Sequence, residues 1–137
     1  SAHLSFAPAI QLLNIDQLPA LCEFFIDNFV TERCGIAWVS QVRYPVICDY
    51  SILPIDYRHK VADILESKIG TITHQHTGNK ISSHAKDLRN EIYTDEQKIS
   101  YQKMFIRYND QQDKFRKTQS WRSLLPDLEH SLTKSTK

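Results

Sequence analysis

Glycine is scarce in this chain, with Gly35, Gly70 and Gly78 the only three among 137 residues. Loops that cradle phosphate need clustered glycines to bring backbone amides against the ligand, so nucleotide-binding loops of that kind are excluded. Cysteine is equally sparse. Cys22, Cys34 and Cys48 stand twelve and fourteen positions apart, which matches neither close-spaced zinc pairs nor a small disulfide scaffold, and they read as reduced thiols of a cytoplasmic protein. No apolar run approaches the roughly 20 residues that cross a bilayer, so no membrane role is expected. An excess of charge is missing too. Seventeen Lys and Arg against 16 Asp and Glu leave a formal charge of +1, and no global field draws in nucleic acid or an anionic surface. The start, Ser1-Ala2-His3, lacks both Met and the basic-then-apolar pattern of a signal peptide, and reads as a tag remnant or the truncated beginning of a longer protein.

What is present is the composition of a folded domain, 41% apolar and 10% aromatic, and the length suits a single domain over 1–137. Its organiser is the stretch from Ile36 to Pro54, where strand-like sequence gives way to helix. Leu4 to Ile15 predicts a strand of some five residues, with Pro8 arguing for an edge or an irregular start. Asp16 caps a helix whose apolar positions Leu18, Leu21, Cys22, Phe25 and Phe29 share one face. Arg33-Cys34-Gly35 ends it, with Gly35 in the left-handed position. Ile36 to Val42 is a second strand, so residues 1–56 read as a strand-helix-strand crossover unit.

The rest, 57–132, reads as helical. Pro54 and Asp56 open a helix with Tyr57, Val61, Ile64, Leu65 and Ile69 on one face, stopped at Gly70. Residues 71–83 are polar with two isolated isoleucines and read as an exposed loop, followed by a short helix from about Ser83 to Ile92. Thr94 and Gln97 form a capping box ahead of a long helix through Tyr101, Met104, Phe105, Tyr108, Gln112 and Phe115 that continues past Phe115. Ser120-Trp121 breaks it, a last helix spans roughly Leu125 to Leu132, and 133–137 is a frayed tail. The expected class is an α+β or α/β fragment: a few N-terminal strands with a crossover helix, then a mostly helical half.

Four groupings invite a chemical reading. His74, His76 and His84 resemble a metal cluster, but no carboxylate or cysteine stands at ligand spacing, so a solvated loop is the simpler reading. Cys48, Asp49 and His59 suggest nucleophile, acid and base; a buried Cys48 beside a surface Asp49 accounts for them without chemistry. Lys114-Phe115-Arg116-Lys117 with Trp121-Arg122 mixes cations and aromatics as nucleic-acid binders do. Asp110 and Asp113 dilute that charge, and Phe115 is expected to pack inward while Arg116 and Lys117 face water. Gln11 and Asn14 lie at the end of the first strand, where parallel sheets place ligand contacts, although strand-end hydrogen bonding explains the same residues.

Two stretches together resemble the C-terminal part of twitch-domain-containing radical S-adenosylmethionine proteins. One is Asn14, the helix Leu18 to Phe29, Tyr44-Pro45 and Tyr50-Ser51-Ile52-Leu53-Pro54 leading to Lys60. The other is Tyr108-Asn-Asp-Gln-Gln-Asp113-Lys-Phe-Arg116 with Trp121 and Leu125-Pro126-Asp127-Leu128, similar to the closing D-x-x-R and P-E-L segment of those proteins. The resemblance implies the last strands of a partial barrel and a helical tail, from an enzyme whose substrate is unknown. The Cys-x3-Cys-x2-Cys loop that holds the radical-generating iron–sulfur cluster is absent, so the chain is expected to hold no cofactor and to be inactive alone, the cluster and S-adenosylmethionine belonging to the full-length protein. On this reading Gln11 and Asn14 are the cofactor-pocket candidates, with Trp38 and Tyr44 packing nearby. The partner is then the remainder of its own chain, or a second copy covering the bare sheet edge. The alternatives are a stand-alone module binding a protein through its C-terminal helices, and a small nucleic-acid-binding domain using Lys114 to Arg122.

Overall fold

The computed structural model describes residues 4–29, 34–36, 39–69, 75–117 and 119–137. The architecture is α+β. Four short strands come first, β1 Leu4–Phe6, β2 Ala9–Ile10, β3 Cys34–Ile36 and β4 Ser40–Gln41. β1 runs parallel to β3 with Ser5 opposite Gly35, and β2 parallel to β4 with Ile10 opposite Gln41. Two passes of chain make both ladders. Pro8, which has no N–H to give, falls between β1 and β2 and cuts the expected five-residue strand in two. Its carbonyl still accepts from the Ser40 N–H at 2.9 Å, which carries the pairing across the gap.

Helix α1, Leu18–Phe29, joins the two passes as the crossover. Asp16 lies one step earlier than a cap would, inside a single 3-10 turn, Ile15–Gln17, that leads into the helix. Leu18 and Cys22 face the core, whereas Leu21, expected on the same face, is partly exposed. Gly35 does not end this helix. It stands in the middle of β3, and no described glycine has a positive φ. The second strand begins earlier than expected and resumes as β4; Trp38 lies outside the described residues.

After β4 the chain makes two 3-10 turns, Val46–Cys48 and Tyr50–Ile52, and enters α2, Ile55–Ile69. Tyr57, Val61 and Leu65 are buried as the periodicity predicts, and Ile64 is exposed. The expected loop 71–83 is corrected from Gln75 onward: α3 covers Gln75–Arg89. Its inward face is Thr77, Ile81, His84, Ala85 and Leu88, a helical period in which two of the five residues are polar. Packing along α2 overrides the weak local propensity. The helix also ends before Ile92.

Helix α4, Asp95–Phe115, starts at the expected capping box: Thr94 Oγ1 accepts from the Gln97 N–H at 3.2 Å and Gln97 Oε1 from the Thr94 N–H at 3.0 Å. It stops at Phe115 instead of running on, and Lys117 turns left-handed with φ 27°. Ser120 caps the single turn α5, Trp121–Leu124, and α6 covers Pro126–Ser135 with proline in its first turn, where a missing N–H costs nothing. The expected frayed tail is therefore helical as far as Ser135, whose hydroxyl donates to Gln102 Oε1 at 2.7 Å.

Arg58 is the largest fully buried side chain. Its guanidinium donates to the carbonyls of Leu53 (3.2 Å), Leu88 (3.1 Å) and Asn90 (2.6 Å) and to Glu91 Oε1 (2.8 Å). One cation thereby closes the C-terminal end of α3 against the start of α2, where free carbonyls favour positive charge.

Candidate functional site

The turn after β2 is built by Asn14. Its Oδ1 accepts from the Gln11 N–H at 2.8 Å and its Nδ2 donates to the Ala9 carbonyl at 3.3 Å. Gln11 takes part through its backbone. Both residues are half-buried at the end of the first pass, where the sequence places them, and Asn14 spends its polar atoms on shaping the turn.

Two recesses open on either side of this turn and share Gln17. A groove of about 500 Å³ runs between the first pass and α1, lined by Pro8, Ala9, Ile10, Asn14, Gln17, Leu18, Ala20 and Leu21. A cleft of about 370 Å³ lies between the turn and the helical tail, lined by Leu13, Gln17, Asn109, Asp113, Arg116, Gln119, Trp121, Leu124 and Leu125. Three polar residues of the lining, Asn109, Asp113 and Trp121, are already paired within the fold. Asp113 Oδ2 accepts from the Trp121 N–H at 3.1 Å, and Asn109 Nδ2 donates to the Phe105 carbonyl at 3.0 Å. Asp110 takes the Trp121 Nε1–H at 2.9 Å and both arms of Arg122 at 3.1 and 2.9 Å. Hydrogen bonds from Arg122 hold the Asp110 carboxyl below its usual range.

The other groupings do not assemble. The expectation for Cys48 and Asp49 is reversed: Asp49 is fully buried and Cys48 half-buried. Asp49 Oδ1 accepts from Gln41 Nε2 and the Ser51 N–H, each at 2.8 Å, and Oδ2 from the Tyr93 hydroxyl at 2.9 Å. That carboxyl is a junction between β4, the 3-10 turns and the segment before α4, with both of its oxygens engaged. His74 and the His76 side chain lie outside the described residues. His84 is buried edge-on to Tyr50, ring centroids 5.7 Å apart, and neither its Nε2 nor the Tyr50 hydroxyl has a hydrogen-bond partner among the described residues. Burial pushes the His84 imidazole down to about 4. Among the described residues no group of three His, Cys, Asp or Glu is placed to hold a metal.

Phe115 is 81% exposed, overturning its expected inward packing, while Trp121 is buried edge-on against Phe105 at 5.3 Å with Arg122 stacked 5.0 Å from its ring. Tyr44, expected near the pocket, is 88% exposed. Sequence reasoning missed Arg58, the Asp49 junction and the polar inward face of α4, Lys98, Gln102 and Asn109. For Gln102 a signal exists in hindsight: it lies three residues before Phe105, on the buried side. Comparison with protein-family models, with curated proteins and with solved structures finds no match.

Proposed function

We propose that this chain is a closing strand-helix unit of a larger parallel sheet, with a helical tail, and that the larger protein is a twitch-domain-containing radical S-adenosylmethionine enzyme. The observation that carries the proposal is the bare parallel ribbon. Each strand has a single partner among the described residues, and beside the first pass runs an apolar groove walled by Pro8, Ile10, Leu18 and Leu21. Parallel sheets occur almost only with several strands buried under helices, and two strands alone do not support a stable sheet. A preceding strand and helix would fill the groove. The two stretches of family-like sequence supply the second support, since Asn14 and the crossover helix lie between the two passes of the ribbon and Tyr50 to Pro54 follow it, in the order the resemblance implies.

The described residues do not fit the cluster chemistry. A cluster needs several thiolates brought together at one place, whereas Cys22 sits in the core and Cys48 is half-buried in a 3-10 turn, and among the described residues no group of three possible ligands is assembled. Asn14 gives one bond from each of its polar atoms to the turn, Oδ1 to the Gln11 N–H and Nδ2 to the Ala9 carbonyl. The chain's own part is to complete the sheet, cover its end and present the cleft. The test is the complete reading frame, expressed anaerobically and assayed for 5′-deoxyadenosine. A frame that carries a three-cysteine loop upstream of residue 1 and a product that cleaves S-adenosylmethionine support the proposal; a frame without that loop overturns it.

A further inference from the structure

Helix α4 turns a polar face to the core and leaves an ordered apolar line outside. Met104 and Tyr108 are 49% and 46% exposed and Phe115 is 81% exposed; with exposed Gln111 between them they follow the four-three-four spacing of a coiled-coil seam, spanning about 16 Å of helix. Each apolar residue is directly preceded by a cation: Lys103-Met104, Arg107-Tyr108 and Lys114-Phe115. These three cations are exposed, share one flank of the seam at about 100° from it, and form no ion pair among the described residues. Two acids share this part of the helix: Asp110 is ion-paired with Arg122 and also feels the charge of Lys114, and Asp113 accepts from the Trp121 N–H.

We propose that the outward side of α4 is a docking surface for an acidic amphipathic helix of a partner protein. The seam spacing selects a helix as occupant, because apolar anchors four and three residues apart along a convex cylinder match another helix. The basic flank selects its charge. A second copy of α4 does not satisfy it: antiparallel pairing sets Arg107 and Lys114 against the same cations, and parallel pairing sets Arg107 opposite Gln112. A partner with Glu or Asp along one edge neutralises all three. This inference stands apart from the proposed barrel, since it uses neither the ribbon nor the groove.

The test uses the chain as it is and a fluorescein-labelled peptide of three heptads with Leu at the seam positions and Glu on both flanks, followed by fluorescence anisotropy at rising salt. Saturable binding that weakens with salt is expected, with a loss of about tenfold or more in Arg107→Glu/Lys114→Glu. A peptide with Lys in place of Glu should restore binding to that variant. Tyr108→Ser/Phe115→Ser should lose both peptides while its circular dichroism stays unchanged. No binding of the Glu peptide, equal binding of Glu and Lys peptides by the unaltered chain, or tighter binding of a single-stranded oligonucleotide or an anionic vesicle through the same residues would overturn the proposal.

Discussion

The Tyr93 hydroxyl donates a 2.9 Å hydrogen bond to Oδ2 of the fully buried Asp49, 44 residues away in sequence. Asp49 also accepts from Gln41 and Ser51, so this one carboxyl joins the strand-bearing half to the segment that begins α4. Tyr93→Phe keeps the ring, which packs edge-on against Tyr101 at 5.4 Å, and removes only the donor. It should cost about 1–2 kcal/mol in urea unfolding. A double-mutant cycle with Asp49→Ala should show coupling of at least about 0.5 kcal/mol; additive effects would mean that the hydroxyl and the carboxyl act separately.

Arg58 is the most consequential side chain that sequence patterning cannot see. Arg58→Met keeps the buried stem and strands the carbonyls of Leu53, Leu88 and Asn90. Destabilisation of about 3 kcal/mol is expected from urea unfolding. A loss below about 1 kcal/mol would show that water reaches those carbonyls.

His84 makes stability depend on pH. Its folded value, about 4, lies below the ordinary 6.5, so between those values the unfolded chain binds the extra proton and folding loses free energy as pH falls. The contribution is complete above about pH 6.5 and disappears through about pH 4. Between pH 7 and pH 5 it amounts to about 2 kcal/mol. His84→Phe should flatten that part of the profile, measured as the urea midpoint against pH; an unchanged slope would place the acid sensitivity elsewhere.

The bare ribbon predicts self-association of the chain on its own, since unpaired strand edges seek partners. Sedimentation should show weight-average mass rising with concentration, and Ala9→Lys, at the exposed position of β2, should suppress it. A strict monomer at high concentration would contradict the bare edge.

The sequence was legible where a period or a cap repeats locally. Pro54 marked α2, Thr94 and Gln97 marked α4, and the parallel crossover around α1 followed from the alternation of strand and helix. It misled where packing overrode residue type. Polar Thr77 and His84 carry the buried face of α3, which therefore read as a loop; Lys98, Gln102 and Asn109 carry that of α4, so Phe115 was placed inside when it is outside. Asp49 and Arg58 owe their burial to partners distant in sequence, which no local pattern encodes. Of the site candidates, Asn14 and Gln11 sit at the strand end as expected, and the cleft formed with Arg116 and Trp121 depends on a tertiary approach of segments a hundred residues apart.

The most direct measurement for the closing-unit account is anaerobic purification of the complete reading frame, followed by mass-spectrometric detection of 5′-deoxyadenosine after reduction with S-adenosylmethionine present. The account predicts cleavage by that protein and none by residues 1–137 alone, with Cys22 and Cys48 both replaceable by Ala without loss of the activity. A reading frame that opens at residue 1, or cleavage that vanishes with Cys48→Ala while the fold is kept, would contradict it.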